Sequence, residues 1–150
     1  MSNPRRKATT ILLADDEPYN LEWLVDYIES KKYQVDFVHS VDQAFSALEE
    51  SLYRVVVADL SIPAIDVQAF LVGRDPLIQR YPGLAIAEHA RNRGHTDRQV
   101  IVYSVHDDPA VESYANRLRC TYLLKGRPRR FKDELDVVLS YDPLAPNQSS

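Results

Sequence analysis

Three carboxylates, a hydroxyl and an ammonium stand at the ends of short apolar runs. Thr10–Ala14 is followed by Asp15, Asp16 and Glu17, Val55–Ala58 by Asp59, Val100–Tyr103 by Ser104, and Tyr122–Leu124 by Lys125. Runs of this length suit buried strands, and in a parallel sheet such ends converge on one edge. Asp15, Asp16 and Asp59 would then lie within several ångströms of one another. Two carboxylate charges about 4 Å apart repel by about 4 kcal/mol at an effective dielectric of 20, so the cluster calls for a cation. Oxygen ligands of this kind suit Mg²⁺, which keeps several waters and binds phosphate oxygens as well; Mn²⁺ accepts the same ligands. A metal held this way neutralises charge on a phosphoryl group in transfer. Lys125 adds a point charge for the same oxygens, Ser104 adds a hydroxyl donor, and a carboxylate attacks phosphorus to give an acyl phosphate. Taken singly, these residues have ordinary structural readings: Asp16 or Glu17 as a helix cap, Asp59 as a turn residue, Ser104 as a structural hydroxyl, Lys125 as a solvated cation. Their order, each at the end of its own run, is what favours a shared site.

The elements that must position them alternate. Residues 9–14 read as a first strand. Pro18 suits a first helical turn, and Leu21, Leu24, Val25 and Ile28 form one apolar stripe at helical spacing. Val35 and Phe37 mark a short second strand, and Val41, Ala44, Phe45 and Leu48 a second helical stripe. Residues 54–58 are continuous and β-branched, as in a strand covered on both faces. Asp66 can cap a short turn over 67–72, and Asp75-Pro76 can start another over 77–80. A third main helix follows over 84–94, then a strand over 99–103. Asp108-Pro109 starts a fourth main helix, residues 120–124 form a fifth strand, and Phe131, Leu135, Val138 and Leu139 mark a last helix. Five strand–helix alternations predict an α/β, doubly wound parallel sheet with helices on both faces, in which function gathers beyond the C-terminal strand ends.

With 150 residues, 45% of them hydrophobic and 27% charged, the chain reads as one globular domain. A chain of this length buries roughly 68–70% of its unfolded surface and needs no disulfide to fold. The net charge of −4 is uneven: residues 1–70 carry −6 and residues 71–150 carry +2. The acidic half holds the carboxylate cluster. Cys120, the single cysteine, falls in the fifth predicted strand and reads as a small buried residue, consistent with a reducing compartment. Neither a signal peptide nor an apolar run of membrane-spanning length is present, so the expectation is a cytoplasmic protein with no membrane partner. Residues 1–8 and 141–150 are polar and expected to be a disordered N-terminus and a flexible tail, leaving a domain over 9–140.

On Asp15-Asp16-Glu17-Pro18, Asp59-Leu60-Ser61-Ile62-Pro63, Ser104 and Lys125, the chain resembles the receiver domains of two-component response regulators over about residues 9–140. The resemblance implies a flavodoxin-like sheet of order 2-1-3-4-5. It implies Asp59 as phosphoacceptor, Asp16 as a direct Mg²⁺ ligand, Asp15 as an outer one through water, and the backbone carbonyl of Ser61 as the remaining protein ligand. Ser104 and Lys125 would engage the phosphoryl oxygens, and Tyr122 matches the aromatic that turns inward on activation; the competing reading of Tyr122 is a half-buried strand tyrosine. Switching would then be a population shift biased by the phosphoryl group, changing the surface of helix four, strand five and helix five, counted without the short insertion turns.

Three departures stand out. The family's glycine lies about eight residues past the phosphoacceptor, whereas Gly83 lies 24 past Asp59. The extra stretch, about residues 64–81, carries Phe70, Leu71, Val72, Leu77, Ile78 and Tyr81, too apolar for a solvated loop. It is expected to fold back beside the site, as a lid, a partner surface or a packed elaboration. Lys125 is followed by Gly126 in place of the family's proline, which frees the backbone there. Val105 follows the switch hydroxyl where a small residue is usual and would crowd the site's mouth. His106, one further on, would face either the phosphoryl group or solvent.

The leading reading is a stand-alone phosphorylatable receiver. It takes a phosphoryl group from a histidine kinase or phosphotransfer protein, dephosphorylates itself and turns over no external metabolite. It signals by phosphorelay or through a downstream protein partner at helix four, strand five and helix five, or at the insertion. Arg117, Arg119, Arg127, Arg129, Arg130 and Lys132 form a basic set near that surface, either a solvated face or a site for an acidic partner; the acidic balance argues against nucleic acid. The alternatives are a receiver-like scaffold that binds partners unphosphorylated, and a Mg²⁺-dependent phosphatase with Asp59 as nucleophile. Such phosphatases want a second acid two residues after the nucleophile, and Ser61 holds that position.

Overall fold

The computed structural model describes residues 5–17 and 21–142. Five strands, β1 (Arg5–Ala14), β2 (Gln34–Val38), β3 (Ser51–Asp59), β4 (Val100–Ser104) and β5 (Thr121–Leu124), pair in parallel in the order β2-β1-β3-β4-β5. Between and after them run α1 (Glu22–Ser30), α2 (Val41–Glu50), α3 (Val67–Leu71), α4 (Pro76–Arg80), α5 (Gly83–Asn92), α6 (Pro109–Leu118) and α7 (Pro128–Leu139). The expected α/β architecture and strand order are both present. Pro18, read as a helix start, lies outside the described residues, as do 1–4 and 143–150.

The central strands are apolar without alternation because both of their faces are covered. Ile11–Ala14, Val55–Ala58 and Val100–Val102 have no solvent exposure. Successive side chains point to opposite faces, and two cores follow. Ile11, Leu13, Val55, Val57, Ile101 and Tyr103 pack with Leu24 and Ile28 of α1 and Phe131, Leu135 and Val138 of α7. Leu12, Ala14, Val56, Ala58, Val100 and Val102 pack with α2, α5 and Val111 of α6. The edge strands β2 and β5 are partly exposed.

Helix starts follow the capping residues that the sequence offers. Ser40 Oγ accepts from Gln43 N–H at 3.1 Å, and Asp108 Oδ1 accepts from Ala110 N–H at 2.9 Å with Pro109 at the first helical position. Asp66 and Asp75 cap α3 and α4, as expected. The 64–81 stretch is thus two short helices, and Phe70, Ile78 and Tyr81 are buried in the α2–α5–α6 core.

Three expectations need correction. Arg5–Lys7, placed in a disordered N-terminus, pair with Ser51–Tyr53, and a register shift separates them from the pairing that resumes at Ile11. Their polar side chains hid this; Lys7 Nζ reaches Asp36 Oδ2 at 2.9 Å and Arg6 pairs with Asp142. Tyr141 and Asp142, placed in the flexible tail, are tied down: the Tyr141 carbonyl accepts from Arg54 Nη2. Cys120 precedes β5 instead of lying in it; it is buried, and burial pushes its thiol up to about 11.

Candidate functional site

Strand register brings the acids together. Ala14 lies beside Ala58, so Asp15 and Asp59 leave adjacent strands at the same level, and Asp59 in turn lies beside Tyr103. Ser104 lies beside Leu124, and Lys125 follows at once, its N–H donating to the Ser104 carbonyl at 2.8 Å. Carboxylate oxygens of Asp15, Asp16 and Asp59 lie within 4.8 Å of one another, with Asp15 and Asp59 buried and Asp16 exposed. Lys125 Nζ stands 3.3 Å from Asp59 Oδ2 and 3.7 Å from Asp15 Oδ2.

Local bonds fix the two buried carboxylates. Asp59 Oδ1 accepts from Ser61 N–H at 3.1 Å, and Asp15 Oδ1 from Glu17 N–H at 2.7 Å. Burial is the largest influence on Asp59 and pushes its carboxyl upward; the Ser61 N–H and the Lys125 ammonium pull against it. One ammonium opposes three clustered carboxylates, and a divalent cation would offset the remainder. The donor set is oxygen only, two of its members are held by backbone N–H groups, and the third faces solvent. That set fits Mg²⁺.

Tyr103 is the member that sequence reasoning missed. It is 1% exposed, and its hydroxyl donates to Asp15 Oδ2. Its ring packs edge-on to Phe131 at 5.8 Å, and Lys125 Nζ lies 4.9 Å from its centroid. Burial and the neighbouring Asp15 push its phenol far above the ordinary range. The signal available was a lone hydroxyl in an otherwise aliphatic run, at the position beside Asp59. A cavity of about 370 Å³ opens next to these groups, lined by Asp15, Trp23, Tyr103, Lys125 and Phe131, with Val105 on its wall. Val105 is 68% exposed.

The loop after β4 is held by a few hydrogen bonds. Ser104 is buried, and its Oγ accepts from His106 N–H at 3.0 Å. The Tyr122 hydroxyl donates to the His106 carbonyl and accepts from Asp108 N–H at 3.3 Å. His106 itself is exposed, its ring 6.5 Å from that of Tyr81. Gly126 takes φ +85°, the left-handed region where a proline could not sit.

Gly83 lies against the backbone that carries Asp59. A Cβ there would lie 2.2 Å from the Asp59 carbonyl oxygen and 2.7 Å from Leu60 Cα, and the Gly83 N–H donates to the Leu60 carbonyl at 3.0 Å. The helix after the insertion therefore starts directly against the backbone of Asp59, and only glycine allows that approach.

This arrangement matches solved structures. A two-component response regulator from Clostridium difficile superposes with a TM-score of 0.67 at 15% identity, over 88% of this chain and 96% of that one. The fold is that of response-regulator receiver domains. A Burkholderia pseudomallei response regulator described with a phosphorylated aspartic acid and a calcium ion gives 0.64 at 19% identity, over 88% of this chain and 69% of that one. The receiver domain of a Pseudomonas aeruginosa sensor histidine kinase, described with a magnesium ion coordinated in its active-site cleft, gives 0.61 at 17% identity, over 89% and 99%. No family model and no curated protein matches the sequence. At these identities the likeness establishes the receiver fold, and the chemistry rests on this chain's own residues. No helix among the described residues is long and apolar enough to cross a membrane.

Proposed function

We propose that this protein is a phosphorylatable response regulator that accepts a phosphoryl group on Asp59 from a histidine kinase or phosphotransfer protein in the cytoplasm. The observation that carries the reading is the grouping of Asp15, Asp16 and Asp59 within 4.8 Å, with Lys125 Nζ 3.3 Å from Asp59. Asp16, Asp59 and the Ser61 carbonyl would hold Mg²⁺, with Asp15 acting through water; Mn²⁺ would substitute. When bound, the ion neutralises charge on the transferring phosphoryl oxygens.

An Asp59 carboxylate oxygen attacks phosphorus as the donor's N–P bond breaks, and the donor imidazole leaves with the bonding electron pair. Lys125 pairs with the phosphoryl oxygens, and the Ser104 hydroxyl donates to them after turning from the His106 N–H that it now accepts from. That turn links the phosphoryl group to the 105–108 loop and so to Tyr122, whose hydroxyl is bonded to the same loop. The downstream partner would read α6, β5 and α7, or the 64–81 insertion. Hydrolysis of the acyl phosphate resets the protein, with Val105 and His106 at the mouth setting the access of water.

The test is incubation with Mg²⁺ and acetyl phosphate. The expected product is an acid-stable, base-labile mass gain of one phosphoryl group in the wild type and none in Asp59→Asn. No gain in the wild type refutes the reading in favour of an unphosphorylated scaffold. Multi-turnover phosphate release from an alkyl or aryl phosphomonoester, which is no phosphodonor of the acyl-phosphate class, refutes it in favour of a phosphatase.

A further inference from the structure

The insertion does more than pack beside the site. Its start is bonded to the start of α2: the carbonyl of Pro63, the residue before it, accepts from Val41 N–H at 2.8 Å, and Ile65 N–H donates to Asp42 Oδ2 at 2.5 Å. Its last residues reach the opposite side, where the Tyr81 hydroxyl donates to Asp108 Oδ2 at 3.0 Å. Asp108 also caps α6 through its other oxygen. From Asp108 the bonds continue inward. Its N–H donates to the Tyr122 hydroxyl, that hydroxyl donates to the His106 carbonyl, and His106 N–H donates to Ser104 Oγ. Four consecutive hydrogen bonds thus join the insertion to the hydroxyl beside the phosphoacceptor.

We propose that Tyr81 is a positioning residue through which the 64–81 insertion sets the population of the Ser104–Tyr122 switch. The proposal deepens, and rests on, the reading of Asp59 as phosphoacceptor. Three observations support it. The 105–107 loop is exposed and has little packing of its own, with Val105 68% exposed, so its arrangement depends on these few bonds. The ring of Tyr81 is buried at 9% exposure, so its hydroxyl is presented from a rigid base. Its chain neighbours Pro82 and Gly83 lead straight onto the Asp59 backbone, so the insertion's end cannot shift independently of the site. Ile65, Val67 and Val72 leave the insertion's outer side apolar and exposed. Any event that moves Tyr81 would change the loop, and phosphorylation would change the insertion by the same factor, since coupling is reciprocal.

Tyr81→Phe removes the hydroxyl and keeps the buried ring, so it separates coupling from packing. Amide hydrogen exchange in the full chain would be read at His106 and Asp108, and the lifetime of phosphorylated Asp59 after loading with acetyl phosphate. The expected result is a loss of protection at both amides by roughly two- to tenfold, the worth of one hydrogen bond, and a change in phosphoryl lifetime of the same order. Tyr81→Phe combined with Tyr122→Phe should then add little to Tyr122→Phe alone, because both act on one chain of bonds. Unchanged exchange at the His106 amide, which Tyr81 reaches by hydrogen bonds through Asp108 and Tyr122, or full additivity of the two substitutions, would overturn the proposal. A wild type that takes no phosphoryl group would instead remove the reading beneath it; a labelled wild type with an indistinguishable Tyr81→Phe sinks the coupling alone.

Discussion

Gly83→Ala should damage stability and phosphorylation together. A methyl group at this position would meet the Asp59 carbonyl oxygen at 2.2 Å, Asp59 C at 2.8 Å and Leu60 Cα at 2.7 Å, all of them backbone atoms. No side-chain rotation relieves such contacts, so α5 and the end of β3 must separate by about 1 Å, and overpacking of this kind costs roughly 1–3 kcal/mol. The Gly83 N–H to Leu60 carbonyl bond at 3.0 Å resists that separation. Displacing Asp59 by about 1 Å from the Asp15, Asp16 and Lys125 groups should slow phosphoryl transfer by about 100-fold. Urea unfolding, read as a shift in midpoint at constant slope, measures the first effect, and the initial rate of labelling by acetyl phosphate measures the second. Gly126→Ala is the control: nothing lies within 4 Å of its added methyl, and only the backbone at φ +85° objects, at about 1–2 kcal/mol. A Gly83→Ala protein with wild-type midpoint and labelling rate would refute the claim that the insertion's exit abuts the backbone of Asp59.

Other perturbations test other parts of the site. Tyr103→Phe should tighten Mg²⁺ binding by roughly two- to tenfold, since the Tyr103 hydroxyl competes with the ion to offset Asp15; Trp23, the single tryptophan, lines the same cavity as Asp15 and reports a Mg²⁺ titration by fluorescence. Equal or weaker binding would contradict that role. Lys125→Met should slow labelling of Asp59 by about 100-fold, as for loss of one transition-state donor, and a change below twofold would remove Lys125 from the mechanism. His95 is fully buried, its Nε2 accepting from Tyr53 N–H at 2.9 Å and its Nδ1 donating to the Ala90 carbonyl at 3.0 Å, and burial lowers its pKa from 6.5 to about 4. The neutral ring therefore stabilises the fold fully above pH 6.5, and that contribution, about 3 kcal/mol, is lost as pH falls from 6.5 to 4. Unfolding free energy against pH should show a correspondingly shallower slope over this window in His95→Gln, and parallel curves would contradict the assignment.

The sheet was legible because its central strands are buried on both faces, and an unbroken run such as Val55–Ala58 has few other uses. Asp15, Asp59 and Ser104 were legible for the same reason, each being the first polar residue after such a run; Asp16 follows Asp15 at once, and Lys125 ends the shorter, partly exposed run of β5. What escaped was whatever the run did not mark. Arg5–Lys7 continue β1 with polar side chains whose partners, Asp36 and Asp142, are remote in sequence. Tyr103 sits inside an apolar run, and only its level beside Asp59 gives its hydroxyl a carboxylate to meet. The insertion's apolar content announced that it would pack, and Asp66 and Asp75 announced its two caps, but the bond from Tyr81 to Asp108 joins residues 27 apart and has no local signal.

The most direct test of the central claim is to locate the phosphoryl group. The protein is labelled with acetyl phosphate, the acyl phosphate is reduced with borohydride to homoserine with release of phosphate, and the peptides are sequenced by mass spectrometry. Homoserine at position 59 that appears with Mg²⁺ and disappears with chelator is the predicted result. Homoserine at another acid, or labelling indifferent to the metal, would contradict the account.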